Sequence, residues 1–184
     1  MPDIITTAKG LTSGYVPLGA FIVSDRLYAR VTGEDAKGKF FTNGFTYSAH
    51  PVACAAGLKN LEIMLREDIC GHVRKDGTYY QERFKTLSDL PIVGDIRGSH
   101  FMICVECVLD RKTKEVPPYD WEIGMRIMRN TMPHGLLVRP MGHLVVLSPP
   151  LTITRAQIDQ AVDSLRKGIQ ATMDELKREG LWQG

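Results

Sequence analysis

Ile4-Ile5-Thr6-Thr7-Ala8-Lys9-Gly10 is an apolar, β-branched run that stops at a single lysine followed at once by glycine. The pattern predicts a strand over residues 3–8 that delivers an amine to a turn. An amine attacks a carbonyl only when deprotonated. A free lysine titrates near ~10.4, so a reactive one must have its pKa lowered or be held as an imine. On local pattern alone, a lysine after a strand is more often a solvated surface residue. Both readings stay open at this point. Eight residues precede Lys9, so any other part of a site is expected from downstream, from another chain, or not at all.

Working outward, residues 11–17 read as a Gly/Ser/Tyr-rich loop and residues 18–23 as a second short apolar strand. Ser24 or Asp25 then caps a brief helix carrying Leu27 and Tyr28. Residues 33–43 are polar and Gly/Lys-rich, as in an exposed loop. A long helix begins near His50-Pro51, where proline suits the first helical position. Cys54, Leu58, Leu61 and Leu65 recur along it as an apolar face, and Ala53, Ala55, Ala56 and Gly57 allow close packing.

Past residue 67 the character changes. A more polar helix is expected over 72–90, with Tyr79, Phe84 and Leu87 as packing residues. Strands follow at 93–96 and 101–108, a helix at 119–132, and strands at 136–138 and 144–147. The last helix opens at Thr154 with Gln157 as its capping-box partner. Ile158, Val162, Leu165, Ile169 and Leu176 form its buried stripe. Two units emerge: residues 1–66, resembling the edge of an α/β layer, and residues 67–184, an α+β domain. Two short strands and one long helix cannot cover both faces of a parallel sheet.

The chain has 184 residues, 43% of them hydrophobic and 24% charged, with a formal net charge of +2. This balance offers no electrostatic case for nucleic acid. No apolar run reaches the ~20 residues of a membrane span, and Met1-Pro2-Asp3 does not open a signal peptide. The four cysteines form no disulfide framework, so a reducing cytoplasm is expected. Cys104 and Cys107 have metal-like spacing. They lie in a strand-like run, however, on opposite faces and without a second ligand pair, so they read as core residues and no metal is expected.

Three further positions bear on chemistry. Gly44-Phe45-Thr46-Tyr47-Ser48 precedes the long helix and offers N–H groups and hydroxyls to an anion, or simply an N-cap. Arg139, fixed by Pro140, offers a planar fork to a carboxylate, or pairs with a surface acid. The histidines share no metal spacing, the serines occupy no nucleophile elbow, and there is no phosphate loop.

Residues 3–20, 44–53, 135–140 and 148–151, taken in order and spacing, resemble the C-terminal half of a class III aminotransferase. Members are pyridoxal 5'-phosphate enzymes of fold type I. The resemblance implies that residues 1–66 end the large cofactor-binding domain and that 67–184 form the small C-terminal domain. It matches Lys9 to the lysine that joins the cofactor and shuttles the substrate proton. Thr46 matches a threonine that reaches the cofactor phosphate of the other subunit, with Phe45 at the same interface. Arg139 matches a mobile arginine for a substrate carboxylate.

Within the family, Gly-Phe-Thr-Tyr-Ser-Ala-His-Pro is more similar to the ω-amino acid or amine:pyruvate branch. The implied reaction moves an amino group from an ω-amino acid or amine to a 2-oxo acid such as pyruvate, in a homodimer with shared active sites. Arg97-Gly98-Ser99-His100-Phe101 departs from the common small-domain pattern. Members are more than twice as long, which implies a chain truncated before the lysine and expected to be inactive alone. The alternatives are a non-enzymatic dimerisation module, or another fold type I enzyme such as an aminomutase or decarboxylase.

Overall fold

The computed structural model describes residues 1–32 and 43–184, and these fall into two compact units, Met1–Asp68 and Ile69–Gly184. The loop expected over 33–43 lies, apart from Asn43, outside the described residues.

In the first unit, β1 (Ile4–Thr7) pairs antiparallel with β2 (Ala20–Val23), with Ile4 opposite Val23 and Thr7 opposite Ala20. Asp3 fixes the open end of the pair. Its carboxylate accepts from Ser24 Oγ at 2.8 Å and from Arg26 at 2.5 Å. Successive strand residues face opposite ways, and Ile4, Ile5, Phe21 and Ile22 are all about half exposed (55, 46, 51 and 57%). Neither face of this ribbon is therefore covered within the unit.

Helix α1 (Asp25–Thr32) follows, and α2 (Pro51–Arg66) begins with proline at its first turn, as expected. The face that α2 buries is not the predicted one. Ala53 and Gly57 point inward, whereas Leu58 and Leu65 are 70% and 82% exposed. The cause is steric. Leu18, just before β2, approaches so closely that a Cβ on Gly57 would stand 2.8 Å from its Cδ2, and the turn after Lys9 packs on the same spot at 3.8 Å (Leu11 O) and 3.9 Å (Thr12 Cγ2). Only a small-residue face admits that approach.

The second unit is built on helix α3 (Ile69–Lys85), strands β3 (Val93–Ser99) and β4 (Met102–Cys107), helix α4 (Ile123–Thr131), strands β5 (Arg139–Met141) and β6 (Leu144–Leu147), and helix α5 (Arg155–Arg178). The four strands form one antiparallel sheet in the order β3-β4-β6-β5. α5 lies over the core as predicted, with Ile158, Val162, Leu165, Ile169 and Leu176 buried. Its N-terminus carries the expected capping box. Thr154 Oγ1 accepts from Gln157 N, and the Gln157 side chain accepts from Thr154 N.

One expectation is extended and one shifts. Phe84 and Leu87 are buried and Tyr79 packs half-buried against the core as expected, while Tyr80, not singled out in the sequence, is fully buried beside them. Tyr79 turns to the edge, where its hydroxyl donates to Asp159 at 2.7 Å. The segment 136–138 is not a strand. Gly135 reverses the chain at φ 78°, and Leu136 N still bonds Thr131 O at 3.3 Å, closing off α4, so the ladder begins only at Arg139.

Cys107 is buried and Cys104 half-buried, both as free thiols. Burial pushes the Cys107 thiol up to about 12 and also raises Cys104. Among the described residues no group of His, Cys, Asp and Glu could hold a metal ion, and no helix is long and apolar enough to cross a membrane.

Candidate active site

Lys9 opens a 3₁₀ turn (Lys9–Thr12) directly after the extended Ala8. Its φ is 52°, in the left-handed region that side-chain-bearing residues rarely occupy. Such a conformation costs on the order of 1–3 kcal/mol and persists only where the surroundings impose it. Ser13, which closes the turn, is also left-handed at φ 51°. Inside the turn Leu11 N bonds Ala8 O at 3.2 Å and Ser13 N bonds Gly10 O at 3.1 Å. Thr12 is buried, and its hydroxyl donates to Val16 O at 2.7 Å.

α2 supplies the outer hold. Asn60 Nδ2 donates to Gly10 O at 2.9 Å and to Leu11 O at 3.2 Å, and Asn60 Oδ1 accepts from Ser13 Oγ at 2.7 Å. The Lys9 side chain is exposed, and its ammonium makes no hydrogen bond or ion pair among the described residues.

Phe45 and Thr46 lie in the turn that leads into α2. The Ser48 hydroxyl accepts from Phe45 N at 3.0 Å and therefore braces its own turn. His50 takes the N-cap position, with no side-chain cap bond to the helix. The ordinary N-cap reading of this segment is thus not the one observed. Thr46 is exposed with no hydrogen-bond partner among the described residues, and the Phe45 ring is 82% exposed.

Arg139 belongs to the second unit, where it is the first residue of β5 and stands opposite Val146. It is exposed, and its guanidinium pairs with no acid among the described residues. The alternative of a strand-end arginine tied to a surface carboxylate is not seen.

Lys9, Phe45 and Thr46 thus share the first unit, and α2 joins their two segments. Asn60 escaped the sequence reading. A signal existed: Ala53, Gly57, Asn60 and Met64 recur at helical spacing, so Asn60 is the polar member of the small-residue face. The leucine stripe, about 100° further round the helix, drew the prediction instead.

An amine without a partner among the described residues, on a constrained turn in the same unit as a hydroxyl-bearing helix entry, suits a protein that holds an aldehyde cofactor. Comparison with known proteins identifies the family. The class III aminotransferase family model matches residues 1–169, and the chain belongs to that family. It is 36% identical over 169 residues to adenosylmethionine-8-amino-7-oxononanoate aminotransferase of Methanocaldococcus jannaschii, covering 92% of this chain and 37% of that one.

Among solved structures, an (S)-enantioselective omega-transaminase from Thermomicrobium roseum superposes with a TM-score of 0.88 at 40% identity, covering 95% of this chain and 38% of that chain. An amine transaminase from an uncultivated Pseudomonas species, in its PLP-bound form, gives 0.88 at 35% identity over 93% and 39%. The fold is accordingly part of a fold type I transferase. The chain spans less than two-fifths of the length of these curated relatives.

Proposed function

We propose that this chain supplies the lysine-bearing part of a pyridoxal-phosphate-dependent transaminase, which moves an amino group from an ω-amino acid or amine to a 2-oxo acid such as pyruvate. The observation that carries the reading is Lys9, an exposed amine without a partner among the described residues, presented on a turn strapped to α2. Its donor set suits the cofactor: one free amine for the aldehyde, and at Thr46 one free hydroxyl for the phosphate. Pyridoxal phosphate, when bound, supplies the electron sink that makes a proton on the substrate's α-carbon removable.

The chain's own residues then have distinct tasks. Lys9 Nζ would hold the cofactor's aldehyde and would take and return that proton. Thr46 would hold the phosphate of a second copy's cofactor by its hydroxyl, with Phe45 at the same contact, in a homodimer with shared sites. The exposure of Phe45 and Tyr47 (82% and 81%) supports a contact surface there. Arg139 grips a substrate carboxylate by its planar fork. Four unpaired thiols support a reducing, cytoplasmic setting.

The test is borohydride trapping with pyridoxal phosphate followed by peptide mapping, beside an assay of alanine formed from pyruvate and an amine. A reduced adduct concentrated on Lys9 is expected. Alanine formation that persists in Lys9→Ala, or an adduct spread evenly over the surface lysines, would overturn the proposal.

A further inference from the structure

We infer that Asn60 positions Lys9: its side-chain amide is the clamp that holds the lysine's turn in its left-handed conformation. This rests on the reading of Lys9 as the cofactor-bearing lysine.

The turn is poorly held from within. It is one 3₁₀ turn, whose hydrogen-bond geometry is poorer than an α-helix's, and both its first residue and its closing residue are left-handed. A Cβ on Gly10 would meet nothing within 4 Å, so packing does not fix that position. The fixing contacts come from about fifty residues away in sequence, and three of them come from one side chain.

The orientation of that side chain is unambiguous. Gly10 O and Leu11 O can only accept, so the nitrogen must face them, which leaves Oδ1 for the Ser13 hydroxyl. Each partner belongs to the turn that Lys9 begins. No other residue type offers this match. Aspartate would set a carboxylate against two carbonyl oxygens, and leucine fills the space without any bond. Asn60 sits on a helix already anchored to the same segment at Gly57, so the clamp is mounted on a rigid element. It touches neither cofactor nor substrate and acts through Lys9.

The experiment uses the 184-residue chain as wild type, Asn60→Asp, Asn60→Leu and Ser13→Ala, with Leu65→Ala on the exposed side of the same helix as control. Two quantities are measured. The first, without cofactor, is amide hydrogen exchange at Leu11 and Ser13. The second is the rate at which pyridoxal phosphate and borohydride modify Lys9 relative to Lys85, followed against pH.

Exchange is expected to accelerate by about tenfold in both Asn60 variants, the scale of one to two lost hydrogen bonds, and by less in Ser13→Ala. The Lys9-to-Lys85 ratio should fall in parallel, with an altered pH profile, while Leu65→Ala matches wild type. Unchanged exchange in the Asn60 variants overturns the inference. So does faster exchange with an unchanged ratio and pH profile, which would make the clamp merely structural. If wild type shows no preference for Lys9, the cofactor-lysine reading itself falls and the positioning role falls with it; the exchange data then still report whether Asn60 holds the turn.

Discussion

Gly168 of α5 lies directly against Thr131 at the end of α4: a Cβ on Gly168 would stand 2.4 Å from Thr131 Cγ2 and 3.2 Å from Thr131 N. Ile127 O is also only 3.3 Å away. Backbone atoms cannot step aside as a side-chain tip can, so the two helices must separate to admit a methyl group.

Gly168→Ala is therefore expected to destabilise the second unit by about 1–3 kcal/mol, the usual range for overpacking. Gly57→Ala makes a useful contrast. Its nearest obstacle is the flexible end of Leu18, and the gain in helix propensity of ~1 kcal/mol offsets the adjustment. Urea unfolding of the two variants should show a clear loss for the first and little net change for the second.

Acid should weaken the contact between α3 and α5. The Tyr79 hydroxyl and the Arg83 guanidinium, both bonded to Asp159, hold its carboxyl below the ordinary aspartate value of 3.8. A depressed carboxylate stabilises the fold fully above the unfolded value, and that contribution is lost as pH falls through the folded value. Asp159→Asn should unfold earlier than wild type in urea near neutral pH. The difference should begin to narrow as pH falls below about 3.8 and close once pH passes the lower folded value, where wild type has lost the same interaction.

The cysteines should separate by reactivity. Cys70 is exposed, whereas Cys107 is buried with its thiol pushed up to about 12. A thiol reagent applied to native protein should label Cys70 and leave Cys107 untouched until denaturant is added. Labelling of Cys107 at the rate of Cys70 under native conditions would contradict the described core.

Backbone protection should differ sharply between the two sheets. β1 and β2 form a ribbon with exposed apolar residues on both faces, and a two-stranded ribbon alone is only marginally stable. β4 lies inside a four-stranded sheet over a buried core. Amides of residues 4–7 and 20–23 should exchange orders of magnitude faster than those of 103–107. Equal protection would show that something further covers the ribbon in solution.

Much of the second unit was legible because its signals are local. The capping box at Thr154 and the spacing of Ile158, Val162, Leu165 and Ile169 define α5 without reference to any partner. The misreadings share one physical origin, the demand of a neighbouring segment. Leu58, Leu61 and Leu65 present a plausible apolar stripe, yet the face that packs is set by how closely Leu18 approaches Gly57. That Tyr80 is buried more deeply than Tyr79 likewise depends on where Asp159 stands, which is a matter of tertiary placement. Lys9, Phe45, Thr46 and Arg139 could be singled out as residue types from their sequence context alone, and their roles are proposals. Asn60 could not, because its importance lies in bonds to a turn some fifty residues earlier.

The location of α5 also governs how the second unit is made. This helix fills the centre of the core, and its contacts reach back about eighty residues, from Asp159 to Tyr79 and from Arg166 to Thr86. During synthesis the strands β3 to β6 leave the ribosome first, with their apolar faces bare. They wait for α5 for roughly 2–6 seconds at ordinary elongation rates of about 5–20 residues per second. The nascent chain is most prone to aggregation in that interval. Slow translation through residues 148–178 should therefore lower soluble yield more than the same delay placed upstream of β3.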